Sequence, residues 1–131
     1  MSINWNDRLK TNIPIIDEQH KTIINLLSGI KTSMLSKSEI YTLLSELQGI
    51  LFAHFDLEDN YMRQARYPEY ETHKAEHDQV REDYKKILTK NDADYSPSEI
   101  ALELINYVHK WFLVHYKNED VKMAEYLKKN V

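Results

Sequence analysis

His54 to His77 reads HFDLEDNYMRQARYPEYETHKAEH. Two pairs in it stand four residues apart, His54 with Glu58 and His73 with His77. Residues four apart on an α-helix share one face, so each pair can aim two donor atoms at one point. Between the pairs, Tyr67-Pro68 marks a break: proline disfavours helix at the residue before it and is tolerated at a helix start. The stretch is therefore expected to form two antiparallel helices, each with a two-donor face. That is half of a metal site.

The same alternation of spacings extends in both directions. Asn12 is expected to cap a first helix that has Pro14 in its opening turn. Its inward stripe is Ile16, His20, Ile23, Leu27, Ile30 and Met34, at spacings of 4, 3, 4, 3 and 4. Ser36-Lys37-Ser38-Glu39 reads as a capping box opening a second helix. The stripe there is Ile40, Leu43, Leu47, Ile50, His54, Leu57 or Glu58, and Tyr61. A third helix from about Pro68 places Tyr70, His73, His77, Val80, Tyr84 and Ile87 inward. After a polar loop, Asn91 to Tyr95, a second capping box at Ser96-Pro97-Ser98-Glu99 opens a fourth helix. Its stripe is Ala101, Leu104, Val108, Trp111 and His115. Residues 1–11 read as an irregular arm anchored by Trp5. The tail from Asp120 to Lys129 reads as a short helix packing Val121, Met123 or Tyr126 on the body. The expected fold is all-α, an up-down-up-down antiparallel four-helix bundle with a short C-terminal helix and an N-terminal arm, in one domain spanning 1–131.

Composition removes several function classes. Two glycines and three prolines in 131 residues favour long helices over a β-rich or disordered chain. With no cysteine, disulfides, thiolate metal sites and iron–sulfur clusters are excluded. A formal net charge of −4 gives no electrostatic reason to expect nucleic acid or an anionic membrane as partner. MSINWNDRLK holds no apolar run, so neither a signal peptide nor a membrane anchor is expected, and the default compartment is the cytoplasm.

Five of the six histidines fall on inward stripes: His20, His54, His73, His77 and His115. His109 faces away. One histidine on an apolar stripe is more often a satisfied core residue than a ligand, and one His-x-x-x-His pair arises easily by chance. Five in register on four helices, joined by a carboxylate in register, call for another explanation, because each buried imidazole without a partner costs on the order of 1–3 kcal/mol. Structural zinc takes about four ligands, often thiolates. Calcium and magnesium prefer oxygen. Imidazole with carboxylate suits iron or manganese in roughly octahedral geometry.

Taken in order, Ile16-Asp17-Glu18-Gln19-His20, His54-Phe55 with Glu58, Tyr67-Pro68 with His73 and His77, and Trp111 with His115 and Asp120 resemble the hemerythrins, in particular their bacterial single-domain form. The resemblance covers essentially the whole chain. It supplies Asp120, which helical spacing would not select. Five residues after His115, it lies about 140° round an ideal helix, so a bend near Asn118 is expected. The resemblance implies two iron ions bridged by Glu58, Asp120 and an oxo or hydroxo group, one completed by His73, His77 and His115, the other by His20 and His54. Two six-coordinate ions offer about twelve positions. Three bridges fill six and the histidines five, which leaves one open, on the His20/His54 ion.

By the same resemblance, dioxygen is the expected ligand, with nitric oxide or azide-like anions as relatives of it and an oxygen-accepting protein as a further partner. The expected role is oxygen storage, delivery or sensing by a binding protein, not an enzyme. The alternative is a di-iron oxidase, peroxidase or nitric-oxide reductase, or an iron-handling protein. Oxidases of the ferritin-like kind favour carboxylates with Glu-x-x-His pairs, whereas this chain has His-x-x-x-Glu and His-x-x-x-His. Two ligand-pocket positions depart from the aliphatic pattern of the family, Phe112 and Tyr116. Phe112 can seal a pocket as leucine does. The Tyr116 hydroxyl could bond bound oxygen, admit water, donate an electron, or sit at the pocket edge in solvent. Asp59 stands where a second glutamate is frequent, and it reads as a partner to a ligand or a solvent-facing group.

Overall fold

A computed structural model describes residues 7–29, 35–90 and 94–130. Trp5, Ile30, Met34 and Asn91 lie outside these, and so do the expectations placed on them. Helices run Pro14–Gly29 (α1), Lys37–Gln64 (α2), Tyr70–Leu88 (α3), Pro97–His115 (α4) and Val121–Asn130 (α5). A 3₁₀ turn, Asp7–Leu9, precedes α1, and a π-helical turn, Tyr116–Asp120, joins α4 to α5. The first four helices pack in sequence, α1 on α2, α2 on α3 and α3 on α4, and α2 also touches α4 and α5. This is a four-helix bundle. No strand occurs among the described residues, and no helix among them is long and apolar enough to cross a membrane.

Local chemistry starts and stops the helices. Both capping boxes form: the Ser36 hydroxyl accepts from the Glu39 amide at 3.2 Å while Glu39 accepts from the Ser36 amide at 3.1 Å, and Ser96 with Glu99 repeats the pattern at 3.2 and 3.3 Å. Helix α2 closes in a Schellman turn. The Tyr67 amide donates to the Met62 carbonyl at 2.9 Å and the Arg66 amide to Arg63 at 3.2 Å, with Arg66 at φ 54° where glycine is usual. Tyr67 and Met62, both buried, supply the hydrophobic contact of that motif.

Asn12 does not cap α1. It sits at φ 64°, and the carboxylate of Asp17 reaches back from inside the helix instead. Asp17 accepts from the Thr11 amide and hydroxyl, both at 2.7 Å, and from the Asn12 amide at 3.1 Å. A charged acceptor near a helix N-terminus competes well with a neutral amide. The buried stripe of α2 holds Ile40, Leu47, His54 and Glu58 as expected but is one residue off at three positions: Leu44, Leu51 and Met62 are fully buried, while Leu43, Ile50 and Tyr61 are half-buried. A 28-residue helix touching four others buries a broad face, and short-range spacing does not choose its centre. In α5 the buried residues are Met123, Ala124 and Leu127, and Val121 is exposed.

The apolar core is divided. One cluster holds Ile23 and Leu27 of α1, Ile40 to Phe55 of α2, Val80 and Tyr84 of α3, and Ile100 to Val108 of α4. A second holds Ile16, Met62, Tyr67, Met123 and Leu127, and a small third one holds Leu9, Ile24, Phe112 and Tyr116. Helices α1 and α3 run from the second towards the first, and α2 runs the opposite way. All the inward histidines fall in the layer between.

Candidate metal centre

That layer contains seven buried ionisable side chains: His20, His54, Glu58, His73, His77, His115 and Asp120, none more than 2% exposed. They form two sets that share both carboxylates. In the three-histidine set, the Glu58 Oε1 lies 3.4 Å from His73 Nε2 and 3.3 Å from His77 Nε2, and the Asp120 Oδ1 lies 3.1 and 2.9 Å from the Nε2 atoms of His73 and His115. In the two-histidine set, Glu58 Oε2 lies 3.4 Å from His20 Nε2 and 2.9 Å from His54 Nε2, with Asp120 Oδ2 3.3 Å from His20. Each carboxylate thus turns one oxygen to each set. The first set has five convergent donors and the second four.

Asp120 reaches this layer through the π turn. There the Val121 amide donates to the Tyr116 carbonyl, five residues back. Bonding at i→i+5 stacks residue i+5 over residue i, so Asp120 returns to the face of His115. The bend expected near Asn118 is this turn.

The far side of three imidazoles is held. His54 Nδ1 donates to Gln19 Oε1 at 2.7 Å, His77 Nδ1 to Asp59 Oδ1 at 2.7 Å, and His115 Nδ1 to Glu76 Oε1 at 2.9 Å. With Nδ1 protonated, the Nε2 lone pair faces the centre, the tautomer a metal requires. Ring faces are held too: Phe55 stacks on His77 at 4.3 Å and Trp111 on His115 at 4.2 Å, while Phe112 meets His20 edge-on at 5.1 Å.

The electrostatics are those of a site waiting for positive charge. Burial pushes the carboxyls of Glu58 and Asp120 up, yet the imidazoles facing them prevail and hold both well below the usual range. Burial disfavours charge on His20 and His73, but Asp120 and Glu58 outweigh it and raise them to about 9 and about 10. His77 is raised by Asp59 and Glu58 against burial, and His54 is lowered because burial prevails.

The donor set fits a metal pair. Buried with no hydrogen-bond partner are both nitrogens of His20, both oxygens of Glu58, Nδ1 of His73 and Oδ1 of Asp120. His115 Nε2 lies 2.9 Å from His73 Nε2 and 3.2 Å from His77 Nε2, three imidazole lone pairs converging. Donors about 2.1 Å from one ion at octahedral positions stand about 3.0 Å apart, which is the spacing seen here.

The family model described as the hemerythrin HHE cation binding domain matches residues 11–127. The chain belongs to the hemerythrin family. It is 29% identical to a bacteriohemerythrin of Aquifex aeolicus over 97% of this chain and 98% of that one. It is 26% identical to the bacteriohemerythrin of Stenotrophomonas maltophilia, over 95% and 80% of the two chains. For the protein of that name from Methylococcus capsulatus the identity is 29%, over 84% of each. No solved structure gives a significant match.

This hemerythrin is therefore a cation-binding protein with a buried cluster suited to two iron ions. All seven residues singled out as ligands converge, and Phe112 and Tyr116 stand edge-on to His20 of the two-histidine set, with Leu9 and Ile24 in the same apolar cluster as these two rings. The Tyr116 hydroxyl, however, points neither into the pocket nor to solvent. It donates to the Arg8 carbonyl at 2.9 Å, with the Lys10 carbonyl at 3.2 Å, and so ties down the N-terminal arm. Asp59 is buried against His77 and does not face solvent. Gln19 and Glu76 were not foreseen. Each precedes one of the converging histidines, His20 or His77, and serves a histidine on another helix, which helical periodicity does not reveal.

Proposed function

We propose that this chain is a single hemerythrin-like domain that holds two iron ions and binds dioxygen reversibly, as a binding protein for storage, delivery or sensing. Glu58 and Asp120 would bridge the ions, His73, His77 and His115 would complete one, and His20 and His54 the other. When bound, the pair supplies electrons and an open coordination position for a small diatomic ligand. The unequal division of donors, five against four, is the observation that carries this reading, since it leaves the two-histidine side one protein donor short.

The surrounding side chains support binding over catalysis. Phe112 stands edge-on to His20 and joins an apolar cluster with Leu9, Ile24 and Tyr116, which favours an uncharged ligand on that side. Gln19 holds His54 through a neutral acceptor. The Tyr116 hydroxyl, the group that would favour an oxidase or reductase, is committed to the arm carbonyls. Nitric oxide and azide-like anions would compete for the same position, and an oxygen-accepting protein would be the partner of a delivery role.

The test begins with anaerobic, reduced, iron-loaded protein. Visible absorption is followed as oxygen is admitted and then removed by degassing. A band that appears and vanishes over repeated cycles supports a carrier. Irreversible conversion to the oxidised form in the first cycle would overturn this reading in favour of redox chemistry.

A further inference from the structure

Outside the seven converging residues, Arg81 of α3 is paired with three carboxylates. Its Nη2 lies 3.0 Å from Asp59 Oδ2 and 2.7 Å from Asp56 Oδ1, and its Nη1 lies 2.7 Å from Asp78 Oδ1. Its guanidinium also stands over the ring of Phe55, 5.4 Å from the centre. Asp59 is the acceptor for His77 Nδ1, and Phe55 is the ring stacked on His77 at an interplanar angle of 11°. Arg81 therefore touches both groups that hold His77, without touching His77 itself.

The three acceptors behind the imidazoles differ in charge and exposure. Gln19 is neutral. Glu76 is charged, with its side chain 38% exposed, so water screens it. Asp59 is charged with its side chain only 10% exposed. A shielded carboxylate draws on the N–H it accepts and makes the imidazole a stronger donor. A stronger donor stabilises the oxidised state of an ion it binds and lowers the reduction potential. A guanidinium paired with that carboxylate offsets the effect. Asp56 and Asp78, at 76% and 49% side-chain exposure, mainly orient the guanidinium.

We propose that Arg81 is a positioning residue for the centre: through Asp59 and Phe55 it fixes His77 and restrains its donor strength, so that the three-histidine ion keeps a higher reduction potential. This rests on the di-iron reading above.

The experiment uses the full chain, loaded with iron, as wild type, Arg81→Gln, Arg81→Lys, Asp59→Asn and the double variant Asp59→Asn/Arg81→Gln. Iron per chain and the midpoint potential from a mediated titration are read for each. Arg81→Gln is expected to lower the midpoint by about 59 mV, a tenfold change in a one-electron equilibrium. Arg81→Lys should recover most of this, and Asp59→Asn should raise the midpoint. The decisive number is the Arg81→Gln effect in the Asp59→Asn background, which should shrink to less than a third. An equal shift in both backgrounds would make Arg81 a mere surface charge and overturn the inference, and so would an unchanged midpoint in Arg81→Gln. Wild-type protein that takes up no iron would instead overturn the di-iron reading. Iron content keeps the two failures apart.

Discussion

Replacing Tyr116 with phenylalanine isolates one hydroxyl in a nearly closed environment. The ring stays in place, stacked with Phe112 at 6.4 Å and edge-on to His20 at 6.1 Å, so the wall of the two-histidine side keeps its volume. What is lost is the bond to the Arg8 carbonyl and the contact with Lys10. A hydrogen bond of this kind is worth about 1 kcal/mol net, a factor of roughly 5 in an equilibrium. The arm keeps Leu9 in its apolar contact and Thr11 and Asn12 on Asp17. The expected result is local: amide exchange in the 7–11 segment speeds up about fivefold, with protection in α2, α3 and α4 unchanged. When iron is loaded, spontaneous oxidation should accelerate by up to the same factor, because lifting Leu9 would loosen the apolar cluster around Phe112, the ring that stands edge-on to His20. Hydrogen exchange read by mass spectrometry, with absorbance decay of the oxygenated protein, measures both. Unchanged exchange in the arm would refute the latch. Faster exchange spread evenly over the bundle would show that the hydroxyl supports global stability instead.

Arg66→Gly relieves a left-handed residue in the Schellman turn and should stabilise the protein by about 0.5–1 kcal/mol, seen as a higher denaturant midpoint with an unchanged slope. In the metal-free protein, His20 and His73 titrate higher folded than unfolded, so their stabilising contribution is complete below about pH 6.5. It fades as pH rises through about 9 and about 10. The melting temperature of metal-free protein should therefore fall between pH 7 and 10, while the iron-loaded form, its imidazoles held by metal, should not follow. Iron loading should release protons, detectable with an indicator dye in weak buffer. Removing exposed Asn118 turns the π turn into ordinary α-helix and places the acid four residues after His115, still on its face. Two irons per chain should still be taken up, and loss of iron from a folded variant would show that the π geometry itself is needed.

The parts of this molecule legible in its sequence are those set by contacts within one helix. Both capping boxes join residues three apart, and they form as read. The inward histidines follow a period that every helix obeys, and their convergence follows from the bundle. Less legible were features that depend on what another segment does. Asp17 caps its helix from within because the chain before it turns through Asn12 at positive φ, a conformation that no pattern announced. Asp120 is hidden by the α period and appears once hydrogen bonding shifts to five residues. The Tyr116 hydroxyl could not be placed without knowing where residues 8–10 lie. Gln19 and Glu76 look like solvent-facing polar residues along their own helices, and only the neighbouring helix gives them a task.

The position of the seven residues bears on how such a costly layer is kept. Two carboxylates and five imidazoles at near-zero exposure are costly to desolvate, and six of their fourteen side-chain polar atoms lack any hydrogen-bond partner. The apolar cluster below them is continuous across four helices, and Tyr84 locks it by donating from its hydroxyl to the Leu44 carbonyl at 2.6 Å. The cluster above is closed by α5, where the Tyr126 hydroxyl donates to the Ala65 carbonyl at 2.9 Å, at the end of α2. Each apolar layer is therefore complete without the polar one. Apolar burial on both sides would hold the donors in place while protons balance their charge, and a metal would then replace those protons. A protein that folded around its metal would need the opposite arrangement, with the ligands drawing together segments that have no core of their own.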